Sequence, residues 1–136
     1  MLLQLYQAQV KAITDQLKLT KSLLGVDALY NDKIVGIDLN ERGIIELLDK
    51  HKKTKIIVSP IGGQGFIFGR GNKQITPKVL KKIGKKNVKI VSTEEKIKGL
   101  RCLMVDTGDI KIDEMLKGLV KVIIGYKEEL IIEIEC

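Results

Sequence analysis

The stretch Ile61–Gln74, IGGQGFIFGRGNKQ, holds the densest set of residues suited to an anion. Glycines at 62, 63 and 65 reach positive φ without steric cost, so their N–H groups can approach a ligand with no Cβ in the way. Successive amides of this kind form a nest for phosphate oxygens. Arg70 adds a guanidinium fork that fits a phosphate, Gly71 follows it, and Asn72 and Gln74 offer amide groups to a ribose or a base edge. Gly62, Gly63, Gln64, Gly65, Arg70, Gly71, Asn72 and Gln74 are therefore the candidate phosphate- or nucleotide-binding residues. The competing reading is a long glycine-rich turn whose Phe66 and Phe68 plug into the core. No Gly-Lys-Ser/Thr follows, so this is not a Walker loop, and the spacing does not meet the dinucleotide fingerprint.

A second group, Asp106-Thr107-Gly108-Asp109, ends an apolar run, where ligands of open α/β sheets bind. Its carboxylates and hydroxyl suit Mg²⁺, a ribose, or acceptance of a proton from a hydroxyl, and Asp106 is the candidate catalytic residue. Asp109 serves equally well as a helix cap. Asp27 closes another apolar run, LLGVD, and is either a site residue or a polar group facing solvent. His51 stands alone at a lysine-rich helix end, so no Ser-His-Asp or Cys-His arrangement can be assembled. Cys102 and Cys136 make neither a disulfide framework nor a metal site; Cys102 reads as a small buried hydrophobe and Cys136 as a frayed last residue.

Helices and strands must hold these groups in place. Leu5, Ala8, Ala12, Ile13 and Leu17 recur at helical spacing, which predicts an amphipathic helix over residues 1–18. Ser22–Tyr30 reads as a buried strand, Asn31-Asp32 as a tight turn, and Ile34–Asp38 as a hairpin partner. Asn40 caps a helix reaching about Lys50, and Lys55–Ser59 is a core strand stopped by Pro60. Thr76 and Pro77 open a helix that ends at Gly84. A strand at Asn87–Val91, a short helix at Glu94–Gly99, a strand at Arg101–Val105 and a helix at about Ile112–Leu116 follow. Val120–Gly125 and Leu130–Glu135 then flank a turn. The alternation predicts one α/β domain over residues 1–136: a mixed, largely parallel sheet with flanking helices and a C-terminal antiparallel β pair. A chain that opens on a helix with no strand before it suggests a missing front half, and hence self-association or a partner chain that replaces it.

Composition narrows the function classes. Hydrophobic residues make up 44% of the chain and charged residues 30%, which suits a globular domain and not a disordered one. The net charge of +7 is carried by lysines spread along helices, with arginine only at 42, 70 and 101. Aromatics for base stacking are scarce, so solvated lysine faces explain the charge better than a nucleic-acid partner does. The opening residues do not form a signal peptide and no run reaches membrane-spanning length, which points to the cytoplasm.

The segments LLGVDAL with VGIDLNE (Leu23–Glu41), SPIGGQGFIFGRGNKQITPKVLKKIG (Ser59–Gly84), LMVDTGDIKIDEMLKG (Leu103–Gly118) and VIIGYKEE (Val122–Glu129) resemble the ATP-NAD kinase-like family. The likeness is to its acetoin-catabolism kinase-like branch and to the C-terminal portion alone. The resemblance implies ATP, NAD and Mg²⁺ as ligands, and phosphoryl transfer to the adenosine 2′-hydroxyl of NAD, giving NADP. The GGDGT motif of such kinases is absent from this sequence, so the resemblance also implies an inactive isolated chain. Lys73 stands where these proteins usually have glutamine, Cys102 where proline is common, and Leu119 where tyrosine is common. Lys73 is the departure nearest the anion-binding stretch.

Overall fold

The computed structural model describes residues 1–5, 26–61, 63–69 and 73–136. In chain order these residues form strands β1 (Leu2–Leu5), β2 (Val26–Tyr30) and β3 (Lys33–Gly36), helix α1 (Glu41–Lys50), and strands β4 (Lys55–Val58) and β5 (Phe66–Gly69). Helix α2 (Pro77–Ile83), strand β6 (Val88–Val91), helix α3 (Glu94–Lys98), strand β7 (Met104–Asp106), helix α4 (Ile110–Leu116) and strands β8 (Gly118–Gly125) and β9 (Glu128–Ile134) follow.

Seven strands make one sheet in the order β3-β2-β1-β4-β6-β8-β9, and β5 and β7 make a second, two-stranded one. Strands β1, β4, β6 and β8 run parallel, and β8 and β9 close the far edge as an antiparallel pair. The expected α/β architecture is therefore present. Its centre is an aliphatic row: Leu3 opposite Ile56, Val58 opposite Ile90, and Ile90 opposite Val122. These side chains are all buried, with Ile44, Leu48, Val79, Leu80 and Leu116 from the helices packed into the same core. At about 25 cal/mol per Å² of apolar surface removed from water, this packing holds the helices on the sheet.

Local signals account for most element ends. Asn40 accepts the Gly43 N–H at 2.8 Å as the α1 cap, and Thr76 accepts the Val79 N–H ahead of Pro77. Asn31 and Asp32 both take positive φ, 52° and 61°, in the two-residue turn between β2 and β3.

Three expectations are corrected. Leu2–Leu5 is a strand and not the start of a helix. LLQL fits either period, and it pairs on one side with β2 and on the other with β4, which satisfies its backbone groups and buries Leu3. The remainder of the expected helix, and residues 22–25 of the expected second strand, lie outside the described residues. Leu2–Leu5 thus lies inside the main sheet, between β2 and β4.

Residues 61–74 are not one loop either, because β5 runs through their middle and pairs in parallel with β7. Phe66 and Ile67 are followed by a buried Phe68, and a ladder to Met104–Asp106 satisfies backbone that a loop would leave to solvent. Finally, Cys102 and Cys136 are joined in a disulfide with Cα atoms 5.8 Å apart. A separation of 34 residues hides the pair in the sequence. They meet because the end of β9 lies beside Leu103, whose N–H donates to Glu133 O at 2.9 Å and whose carbonyl accepts from Glu135 N at 2.9 Å.

Candidate functional site

The strand order reverses between β1 and β4. The chain leaves β1 for β2 and β3 on one side, crosses to β4 on the other, and continues outward through β6, β8 and β9. In an open α/β sheet such a reversal leaves a crevice at the carboxyl ends of the two strands, the usual place for a ligand. The segment that leaves β4 at this edge is Ser59-Pro60 followed by the glycine-rich turn.

That turn is closed by Ile61 N–H donating to Phe66 O at 2.8 Å. Gly65 sits at φ 73° and is buried; a Cβ there would lie 2.9 Å from Leu100 Cδ1 and 3.2 Å from the Cys102 carbonyl oxygen. Glycine is required at this position by both conformation and close approach. Gly63 is exposed, and nothing lies within 4 Å of where its Cβ would stand. Beside the turn, Lys96 Nζ donates to Pro60 O at 2.7 Å. A cleft of about 360 Å³ separates Gly63, Gln64 and Phe66 from Leu100, Arg101 and Met104. Phe66, Leu100 and Met104 give it apolar wall, while Gln64 and Arg101 add an amide and a cation, so it combines a face for a flat ring with polar groups for an anionic one.

The other pole is the end of β7. Gly69 pairs with Asp106 so closely that a Cβ on Gly69 would stand 1.8 Å from the Asp106 carbonyl oxygen. Thr107 Oγ1 donates to Asp113 Oδ1 at 2.6 Å, and the Thr107 N–H donates to the same oxygen at 3.1 Å. Asp109 Oδ1 accepts from Lys111 N and Ile112 N, the cap of α4. Gly108 turns the chain at φ 85°. The Asp106 side chain is exposed and makes no hydrogen bond or ion pair among the described residues. Of the two carboxylates expected here, one is thus committed to a cap and the other is available.

Most of the described sequence-derived candidates therefore fall into two groups. Gly63, Gln64 and Gly65 lie on the turn after β4, whereas Asp106, Thr107, Gly108 and Asp109 lie at the end of β7 and just beyond it. Strand β5 stands between the groups, and its four residues span roughly 13 Å at about 3.3 Å each. Gln74 lies just before the α2 cap, half-buried. Gly62, Arg70, Gly71 and Asn72 lie outside the described residues. Asp27 stands apart and does not face solvent: it is fully buried and accepts the Asp38 N–H at 2.8 Å, which braces the bend after β3.

Several site residues escaped the sequence reading. Arg101 reads only as the start of a strand, but it borders the cleft. Asp113, within the expected helix, anchors Thr107. Ser59 and Ser92 are buried at the carboxyl ends of β4 and β6, and the Ser92 hydroxyl has no protein partner among the described residues. The signal that would have found the serines is the repeated run KIIVS (Lys55–Ser59) and KIVS (Lys89–Ser92). His51 caps the end of α1 and packs against the Tyr30 ring at 4.5 Å, away from both poles.

No group of three or more His, Cys, Asp or Glu side chains able to hold a metal occurs among the described residues. With Asp109 capping and Asp113 holding Thr107, Asp106 is the one carboxylate of this run left without a bond among the described residues, which is too few for a magnesium cage made of protein alone. The donor set does not fit such a cage, and no chemical step is assigned to a metal here.

A comparison with protein families matches residues 5–134 to the ATP-NAD kinase C-terminal domain. The chain belongs to that family. The match spans both poles and the intervening strand, so turn, cleft and β7 end are parts of an NAD kinase-like domain, and the family's substrates are ATP and NAD. Searches of curated proteins and of solved structures returned no significant match. No described helix is long and apolar enough to cross a membrane.

Proposed function

We propose that this NAD kinase-like domain supplies one wall of a nucleotide site used for ATP-dependent phosphorylation of NAD to NADP, in the cytoplasm. The observation that carries the reading is the glycine turn at the strand-order reversal, in a chain of the NAD kinase family. Gly63 offers a main-chain N–H group to a phosphate, and Arg101 adds a cation across the cleft. Arg70, Asn72 and Gln74 remain proposed contacts from their side-chain chemistry.

Two poles separated by a strand of roughly 13 Å suit an extended dinucleotide better than a compact phosphate. Asp106 is then the group that orients the attacking hydroxyl or takes its proton, since no bond from the described residues occupies its carboxylate. Phosphoryl transfer also needs positioning and charge neutralisation of the donor phosphate. The sequence lacks the GGDGT string to which the resemblance assigns that work, so a partner chain or a further segment carrying it completes the site.

Isothermal titration with ATP, NAD and NADP, each with and without Mg²⁺, tests the reading. Heat is expected for at least one nucleotide, reduced by Arg101→Ala, without turnover by the chain alone. Absence of heat for all three overturns it. Heat for a sugar phosphate but for none of the nucleotides would instead mark a non-catalytic binding module.

A further inference from the structure

The disulfide closes one side of the same cleft. Cys102 borders the cleft beside Arg101, and its carbonyl oxygen, with the Leu100 side chain, stands where a Cβ on Gly65 would come closest. Two residues on, Met104 N–H donates to Gly65 O at 3.0 Å. On the other side the Glu133–Cys136 segment is laced to the same run. Glu133 O and Glu135 N bond Leu103, Glu135 Oε1 accepts the Val105 N–H at 2.9 Å, and the disulfide completes the seam. One continuous path of short bonds thus runs from Cys136 through residues 102–104 to the glycine turn.

Access is unequal, because Cys136 is exposed whereas Cys102 is buried. A dithiol approaching from solvent therefore meets the Cys136 sulfur first. Disulfides are unusual in reducing compartments, where those present are commonly exchanged. We propose that Cys102–Cys136 is a thiol–disulfide exchange site, opened by a dithiol reductant, whose opening loosens the glycine turn and weakens nucleotide binding in the cleft. The part concerning nucleotide binding rests on the function proposed above; the loosening of the turn does not.

The step balances as ordinary exchange. A thiolate of the reductant attacks Cys136 Sγ, the Cys102–Cys136 bond breaks, and Cys102 leaves as a thiolate that takes a proton from water. The second thiol of the reductant then attacks the mixed disulfide and releases Cys136. Two protein thiols and one oxidised dithiol result.

The test uses the whole chain, air-oxidised, after dithiothreitol, and as Cys136→Ser. N-ethylmaleimide followed by mass spectrometry is expected to label neither cysteine before reduction and both after it. Amide hydrogen exchange in the peptide covering residues 63–69 is expected to accelerate at least about tenfold in the reduced protein and in Cys136→Ser, with circular dichroism unchanged. Affinity for ATP should fall several-fold in the same two samples.

Full labelling without reductant overturns the proposal. So does unchanged exchange at 63–69 with acceleration confined to residues 133–136, which would make the bond a staple of its own segment. Loss of the dichroism signal on reduction also overturns it, because the bond would then hold the whole fold. Exchange is read without ligand: if it accelerates as expected while ATP binds neither state, the exchange site stands and the nucleotide reading fails.

Discussion

At the scale of single residues, Asp106 and Asp113, two carboxylates at the end of β7, have opposite duties, and mutation separates them. Asp106 makes no bond among the described residues, so Asp106→Asn should leave the melting temperature within about 2 °C of the parent. In a preparation that turns over NAD, the same change should lower kcat by about a hundredfold or more. Asp113 accepts both the amide and the hydroxyl of Thr107, so Asp113→Ala should cost about 1–3 kcal/mol and lower the melting temperature by several degrees. Equal loss of stability in both variants would remove the distinction. Gly69 permits a sharper test. A methyl group there meets the Asp106 carbonyl at 1.8 Å, and φ is 100°. Backbone cannot yield as a flexible side chain does, so Gly69→Ala should destabilise by about 2–4 kcal/mol, seen as a melting temperature lower by roughly 10 °C.

At the scale of elements, the sequence revealed whatever local chemistry decides and missed whatever distant pairing decides. Asn40, Thr76 and the Asn31-Asp32 turn act through bonds within a few residues, and each appears where its type predicts. Asn40→Ala should accordingly cost about 1 kcal/mol, and Asn40→Ser almost nothing, by thermal melting. In contrast, LLQL at residues 2–5 suits helix or strand, and only its two neighbours in the sheet make it a strand. FIFG at 66–69 was hidden by the glycines around it, because its partner β7 lies more than thirty residues on. The site shows the same division. The glycine turn and the VDTGD run were legible as ligand-type chemistry, but their placement on either side of β5 was not. Arg101, Asp113 and the buried serines gain meaning only from what the fold sets beside them.

At the scale of the molecule, the central question is completeness of the catalytic apparatus. If a GGDGT-bearing chain or segment supplies the missing donor-phosphate contacts, mixing it with this chain should produce NADP where neither does so alone, measured by coupled absorbance. No NADP from the mixture, with both components folded, would argue that the domain has kept the family's architecture without its reaction. The last strand bears on how such assembly stays specific. β9 ends the seven-stranded sheet, and the C-terminal part of its outer side is already taken by Leu103, which bonds Glu133 O and Glu135 N. A second copy lying antiparallel along the full length of β9 would have to displace Leu103 from both groups. The covered end shortens the open border, one of the ways a lysine-rich, isoleucine-rich protein avoids growing into ribbons.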